Sequence, residues 1–262
     1  MAFINVCGHR LEYERIDAGG QGRPTLVLLH EGLGSIAMWR DFPQRLAHAT
    51  VSHVIVYSRY GYGDSDPLRQ PRDVRYMHDE GLVVLPELLD RLGIARPVLV
   101  GHSDGASIAL IHAGGTDRPV LGVIAMAPHV MVEDISVASI EAARDAYATT
   151  DLRVRLARYH ADVDSAFRGW NDIWLHPDFR AWNIEEYLPR IRCPVLAIQG
   201  EDDEYGTMEQ VMRIAAAAPD VEILKLGDCR HSPHRDQTGA VLEAASRFVD
   251  RLTAGSFGGS PR

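Results

Sequence analysis

The sequence is poor in the features that mark secreted and metal-binding proteins. Its 262 residues include three cysteines, Cys7, Cys193 and Cys229, with no CxxC pair among them. An odd number of widely spaced cysteines is typical of free thiols in a reducing compartment. A zinc site would need more closely spaced ligands. We therefore expect no disulfide, no metal and a cytoplasmic location.

Long apolar runs and excess positive charge are also missing. No stretch approaches 18 consecutive apolar residues, so we expect no membrane span. The first residues lack a basic segment followed by an apolar one, which predicts that there is no signal peptide. The formal net charge is −9. An acidic surface disfavours binding to nucleic acid or to anionic membranes.

Short apolar runs bounded by Gly or Pro recur along the chain. They lie at 25–30, 53–58, 97–102, 120–127, 194–200 and 221–227. They are rich in Val, Ile and Leu without alternation, which is typical of strands buried on both faces. Helical patterns at 80–93 and 240–252 separate or follow them, and an antiparallel pair, "FINVCG" and "RLEYERID", precedes them. The pattern predicts an α/β protein with a mostly parallel sheet flanked by helices.

One long segment breaks the strand–helix alternation. Apolar side chains recur there at helical intervals, at Leu152, Leu156, Tyr159, Val163, Phe167, Trp170 and Trp174. Either Asp162 or Asp164 is placed to cap a second helix within the series. The predicted boundaries are an α/β core at 1–128 and 191–253, a helical insertion at 129–190, and a disordered Gly/Ser-rich tail at 254–262.

The stretch "PVLVGHSDGASIALIHAGG" places Ser103 between a predicted strand and a predicted helix. The Gly-x-Ser-x-Gly pattern alone is a weak signal, but this is the context in which a serine nucleophile occupies a strained turn. Gly101 and Gly105 supply the small neighbours that such a turn needs. The N-terminus of the following helix favours an oxyanion nearby. Ser103 is the candidate nucleophile, and a purely structural turn serine is the alternative.

A nucleophilic serine requires a base, and the base requires an orienting carboxylate. On a strand–turn–helix elbow the expected chain order is Ser, then Asp or Glu, then His. "GEDDE" directly follows the run at 194–200, and His231 follows the last predicted strand. Both positions lie at carboxyl ends of strands, the functional edge of an open α/β sheet. The order leaves both Asp202 and Asp203 open as the acid.

Five stretches together resemble the α/β-hydrolase superfamily along nearly the whole chain. They are "LLHEGLGS", "SRYGYGDSD", "GHSDGA", "GEDD" and "RHSPHRDQ". The resemblance implies an eight-stranded α/β-hydrolase fold in which the helical insertion is a lid. In such enzymes the acid usually stands three residues after the glycine that ends its strand. The resemblance therefore implies Ser103, Asp203 and His231 as the catalytic residues.

The resemblance also implies an oxyanion hole formed by the backbone N–H groups of Gly32 and Asp104. Family members commonly have His-Gly where this chain has His30-Glu31-Gly32, so Glu31 is the main departure from the pattern. A negative charge aimed at the oxyanion would oppose catalysis, so we expect the Glu31 carboxylate to point elsewhere. Contact between this carboxylate and substrate or water is the alternative.

Other side chains are candidates for substrate contacts. They are Glu31, His102, His129, Trp170, Trp174 and Trp182. We expect the lid aromatics mainly to pack, with some facing the pocket because the underside of a lid closes over substrate. His30 and His102 are expected to be buried histidines, and His234 a residue at the pocket rim or behind it. Arg40 and Arg59 are expected to be solvated, with binding of a substrate anion as the alternative.

The sequence thus predicts a serine hydrolase that transfers an acyl group to water. Carboxylic esters with a small or medium apolar acyl or aryl group are the expected substrates. Thioester hydrolysis, carbon–carbon bond hydrolysis and ligand binding without catalysis are the alternatives. No cofactor is needed. The expected partner is a small ester-like molecule, not nucleic acid or a membrane, and a homodimer is left open.

Overall fold

Eight strands pair into one sheet in the computed structural model, which describes residues 1–254. The strands are β1 (Ala2–Val6), β2 (His9–Ile16), β3 (Thr25–Leu29), β4 (His53–Tyr57), β5 (Val98–His102), β6 (Gly122–Met126), β7 (Val195–Gly200) and β8 (Val221–Leu226). Their order is β1-β2-β4-β3-β5-β6-β7-β8, and β2 is antiparallel to both its neighbours while all other pairs are parallel. The predicted α/β class and mostly parallel eight-stranded sheet are confirmed.

Helices cover both faces of the sheet. They are α1 (Phe42–Thr50), α2 (Tyr76–Asp79), α3 (Leu85–Leu92), α4 (Asp104–Gly115), α5 (Asp134–Thr149), α6 (Leu152–Leu156), α7 (Val163–Trp174), α8 (Glu209–Ala217), α9 (Pro233–Asp236) and α10 (Thr238–Ala254). A π-helical segment, Glu80–Val84, joins α2 to α3. Within residues 1–254, no helix combines the length and apolar character needed to cross a bilayer.

The two faces of the sheet bury separate apolar clusters. Along β3, Leu26 and Leu28 pack in the cluster that contains residues of α1 and α10, while Val27 and Leu29 pack in the cluster that contains residues of α3 and α4. Successive side chains of a strand point to opposite faces, so a strand covered on both sides must be apolar at every position. This requirement explains why the strands read as continuous apolar runs.

Helices α5, α6 and α7 fill the segment between β6 and β7. The periodic stretch at 152–174 forms two helices, because the chain turns at 157–162 before α7 begins. Of the two candidate caps, Asp162 accepts the Ser165 N–H at 3.0 Å, whereas Asp164 pairs with Arg153. A cap of this kind satisfies an N–H group that the first turn leaves free.

Helix α5 was not predicted individually, and its sequence explains why. Of its 16 residues, Ser136 and Ile140 are the buried ones, so its apolar periodicity is weak. Polar bonds attach it instead: Ser136 Oγ donates to the Tyr205 carbonyl and Ser139 Oγ donates to the Glu204 carbonyl, both at 2.5 Å. At the C-terminal end, residue 254 closes α10 rather than starting the tail, and 255–262 lie outside the described residues.

Candidate active site

Ser103 occupies the sharp turn between β5 and α4. Its φ of 52° and ψ of −120° are strained for a residue with a side chain. A Cβ on Gly101 would lie 2.4 Å from the Ala106 backbone nitrogen, and one on Gly105 would lie 2.1 Å from the Leu29 carbonyl oxygen. Only glycine fits at these two positions, so the small neighbours noted in the sequence have a direct steric cause.

A chain of short contacts runs from Ser103 through His231 to Asp203. His231 Nε2 lies 2.9 Å from Ser103 Oγ, and His231 Nδ1 lies 2.9 Å from each Asp203 carboxylate oxygen. An ionised carboxylate only accepts hydrogen bonds, so the proton stands on Nδ1 and Nε2 is free to accept the serine proton. Asp202, by contrast, is exposed. Of the two candidate acids, the structure brings Asp203 to the histidine.

The Asp203 carboxylate is held in place by further donors. The N–H of Tyr205 donates to Oδ1 at 2.8 Å, and the Gln199 side-chain amide donates to Oδ2 at 2.7 Å. Burial raises the pKa of Asp203, but the hydrogen bond and charge of His231 and the Tyr205 N–H outweigh it and hold the pKa below its usual value. The carboxylate is therefore ionised at neutral pH and orients the imidazole.

The loop after β3, which carries Gly32, is fixed by a buried arginine. The Arg59 guanidinium donates to the carbonyl oxygens of His30 at 3.3 Å and Glu31 at 3.0 Å, and the Arg59 N–H donates to His30 Nε2 at 2.9 Å. Arg59 is fully buried, so the expectation of a solvated side chain is wrong. Arg40 is exposed, as expected.

Asp104 compensates the buried charge of Arg59. Its carboxylate lies 3.8 Å from the Arg59 guanidinium and accepts the Tyr76 hydroxyl at 2.7 Å. The Tyr62 ring centroid lies 5.0 Å from the same guanidinium, a cation–π distance. The loops after β3, β4 and β5 are thereby joined behind the site. The backbone amides of Gly32 and Asp104 both belong to residues of this joined unit.

A cavity of about 140 Å³, partly open to solvent, lies in front of Ser103. Its lining residues are Glu31, Gly32, Leu33, His102, Ser103, His129, Ser136, Ile140, Trp170, Trp174, Tyr205, His231 and Ser232. Arginine and lysine are absent from this lining in the part of the chain that the structure describes. The cavity is bounded by aromatic and imidazole rings, with one carboxylate at Glu31.

The sequence model of the alpha/beta hydrolase family matches residues 26–244. The chain belongs to this family. A hydrolase of Paraburkholderia phymatum named for 2-hydroxy-6-oxononadienedioate and 2-hydroxy-6-oxononatrienedioate is 26% identical, over 95% of this chain and 93% of its own. An N-formylmaleamate deformylase of Pseudomonas putida is 24% identical, over 94% of this chain and 96% of its own. The solved enol-lactonase of Burkholderia xenovorans LB400 shares the fold: it superposes with a TM-score of 0.75 at 20% identity, over 95% of this chain and 100% of its own.

Glu31 is the residue at which this α/β hydrolase departs from the common His-Gly pattern. Its carboxylate lies 3.4 Å from His102 Nδ1, and its side chain is 17% exposed and lines the cavity. Burial raises its pKa, but the neighbouring His102 imidazole outweighs burial and holds the pKa well below its usual value. Glu31 is therefore ionised, contacts a histidine and also lines the cavity, while its contact with substrate or water stays a prediction.

Three histidines surround His231 in this hydrolase. His129 lines the cavity, and burial together with the nearby His231 lowers its pKa to about 3, so its imidazole is neutral. His102 is buried, as expected, and its Nε2 lies 2.6 Å from the His231 carbonyl, which it supports as a donor. His234 does not line the cavity; its ring packs at 4.8 Å from that of Trp39. His30 is fully buried, as expected.

The structure separates the three tryptophans of the helical insertion. Trp170 and Trp174 line the cavity, but Trp182 does not. Trp182 stacks on Phe179 with ring centroids 5.4 Å apart, so its predicted substrate contact is wrong. Helical spacing identified the two cavity tryptophans because they share one face of α7. Trp182 lies after α7 has ended, where that spacing carries no information.

Five cavity residues were not predicted from the sequence. They are Leu33, Ser136, Ile140, Tyr205 and Ser232. Ser136 and Ile140 come from the unpredicted α5, while the other three lie within two residues of Gly32, Asp203 or His231, which is the one signal that would have found them. Within residues 1–254, no group of three or more His, Cys, Asp or Glu residues is arranged to hold a metal ion.

Proposed function

We propose that the protein is a serine hydrolase that cleaves uncharged carboxylic esters with a small or medium apolar acyl or aryl group. The observation that carries the proposal is the unbroken contact chain from Ser103 Oγ to His231 and Asp203, with each step at 2.9 Å. It starts from a strained turn at the N-terminus of α4 and faces a cavity lined by two tryptophans, a tyrosine and three histidines. This arrangement satisfies the geometric requirements for an activated serine.

In the proposed mechanism, Ser103 Oγ attacks the ester carbonyl carbon while its proton passes to His231 Nε2. Asp203 stabilises the resulting imidazolium, and the N–H groups of Gly32 and Asp104 donate to the oxyanion. The tetrahedral intermediate collapses as His231 returns the proton to the departing alkoxide, leaving an acyl group on Ser103. A water molecule, deprotonated by His231, then attacks the acyl carbon, and the acid departs as Ser103 regains its proton.

The charges around the cavity support an uncharged substrate. A substrate carboxylate would meet the ionised Glu31 and would find no arginine or lysine among the described lining residues. Burying a charge without a partner costs several kcal/mol, roughly a loss of 100-fold or more in binding. Two relatives are named for dioate and maleamate substrates, which are anionic. We propose that this chain differs from them in substrate charge.

Carbon–carbon bond hydrolysis of an oxo acid is the second candidate. It is favoured by the relative named for 2-hydroxy-6-oxononadienedioate, which aligns with 95% of this chain. The same serine, histidine and aspartate would serve either reaction. The charges in the cavity favour the ester. We also propose that α7, which places Trp170 and Trp174 over the cavity, acts as part of a lid.

Initial rates on matched esters test the proposal. We expect activity on p-nitrophenyl acyl esters that depends on chain length and is lost in Ser103→Ala. Neutral p-nitrophenyl butyrate should have a kcat/KM at least about 10-fold above that of anionic mono-p-nitrophenyl glutarate. Glu31→Gln should narrow this ratio. A preference for the anionic ester, or for acyl-CoA thioesters, would contradict the proposed substrate class.

A further inference from the structure

The indole of Trp170 lies directly against the glycine of the candidate oxyanion loop. A Cβ built on Gly32 would come within 2.1 Å of Trp170 Cδ1 and 2.2 Å of Trp170 Nε1. The edge of the ring that touches Gly32 is therefore the edge that carries the N–H. Any larger residue at position 32 would displace the indole, so the glycine and the tryptophan require each other.

The Trp170 N–H differs from those of the other tryptophans. The indole nitrogens of Trp39, Trp174 and Trp182 are buried and have no acceptor within residues 1–254. Trp170 also has no hydrogen-bond acceptor among the described residues. Its indole nitrogen, however, is not among the buried ones, and its side chain lines the cavity in front of Ser103. An indole N–H is a donor only, and a donor in such a place needs an acceptor from a ligand or from water.

We propose that Trp170 donates its indole N–H to the substrate oxygen that becomes the oxyanion. This inference rests on the proposed function, in which that oxygen lies between the N–H groups of Gly32 and Asp104. Trp170 would be a third donor beside Gly32, supplied from α7. Donors that are fixed in advance where negative charge develops lower the barrier because they need no reorganisation during the reaction.

A donor on Trp170 gives the helical insertion a part in the chemistry. A lid that only covered the cavity would exclude water and shape the acyl site. A lid that carries Trp170 also completes the oxyanion site, which is then fully assembled only while α7 lies against the loop after β3. The packing of Trp170 on Phe167, with ring centroids 5.9 Å apart, helps to hold the indole in this position.

The test removes the N–H while keeping the ring. We expect Trp170→Phe, and replacement of Trp170 with 3-benzothienylalanine, to lower kcat on p-nitrophenyl butyrate by about 10- to 100-fold. KM should change little. Affinity for a trifluoromethyl ketone of the same acyl length, which forms an oxyanion on Ser103, should fall by a similar factor. The benzothienyl variant keeps the bulk of the side chain. Its effect therefore reports the loss of the N–H donor and not a loss of apolar volume in the cavity lining.

Trp182→Phe is the matched control, because Trp182 is a buried tryptophan of the same insertion that does not line the cavity. It should leave kcat and inhibitor affinity within about twofold of wild type. Benzothienyl and Phe variants that raise KM alone, with kcat and inhibitor affinity unchanged, would show that Trp170 is only an apolar wall and would overturn the inference. Failure of a fluorophosphonate to label Ser103 in the wild type would overturn the proposed function and this inference together.

Discussion

Replacing Arg59 tests how much the buried pair of Arg59 and Asp104 contributes to the free energy of unfolding. Arg59 is fully buried, donates to the His30 and Glu31 carbonyls and lies 3.8 Å from the Asp104 carboxylate. Arg59→Met removes the cation but leaves Asp104 buried with the Tyr76 hydroxyl as its one side-chain donor among residues 1–254. Removing one partner of a buried ion pair costs about 3–5 kcal/mol, a large part of the ~5–15 kcal/mol that stabilises a domain.

Urea denaturation followed by circular dichroism measures this loss. The midpoint should fall with little change in the slope, and the melting temperature should fall by on the order of 10 °C. Adding Asp104→Asn to Arg59→Met should recover part of the stability, because the second change removes the uncompensated carboxylate. An Arg59→Met protein within about 1 kcal/mol of wild type would show that the buried ion pair does not stabilise the fold, because loss of one partner of such a pair is expected to cost far more.

Other predictions concern the acid, the elbow and pH. Asp203→Asn should lower kcat by about 10⁴-fold and Asp202→Asn by less than about twofold, and equal losses in ester hydrolysis would contradict the assignment. Gly105→Ala should sharply lower the melting temperature, because its Cβ would lie 2.1 Å from the β3 backbone. Gly239→Ala, whose Cβ meets nothing within 4 Å, should not. The pKa of His129 is about 3 in the folded protein and about 6.5 in the unfolded chain, so between these pH values only the unfolded chain binds a proton at His129. The free energy of unfolding therefore falls by about 1.4 kcal/mol per pH unit as the pH decreases through this range. His129→Gln should make the measured free energy of unfolding depend less on pH there.

The strands and the order of the site residues were predictable because they depend on local rules. A strand buried on both faces must be apolar throughout, so each run from β3 to β8 was visible in the sequence. The candidate nucleophile, acid and base follow strands, and a parallel sheet brings the carboxyl ends of its strands to one edge. The choice of Asp203 over Asp202 came from the family resemblance, and the structure shows its basis in the contact with His231.

The residues that could not be predicted depend on contacts between distant loops. Nothing local distinguishes a buried Arg59 from a solvated one, because its partners lie on the loops after β3 and β5. The sequence of α5 does not predict a helix because serine hydroxyls, and not an apolar stripe, attach it to the loop after β7. The contact of Trp170 with Gly32 joins positions 138 residues apart, and the periodicity of α7 gives only the face on which the indole lies.

In the proposed mechanism, Ser103 forms a covalent acyl intermediate with an ester. The most direct measurement is mass spectrometry of peptides from enzyme that is quenched with acid during turnover of p-nitrophenyl butyrate. We predict a butyryl adduct on the peptide that contains Ser103, enriched in the steady state and absent from Ser103→Ala. Rapid turnover with no adduct on this peptide, or undiminished turnover by Ser103→Ala, would contradict the account.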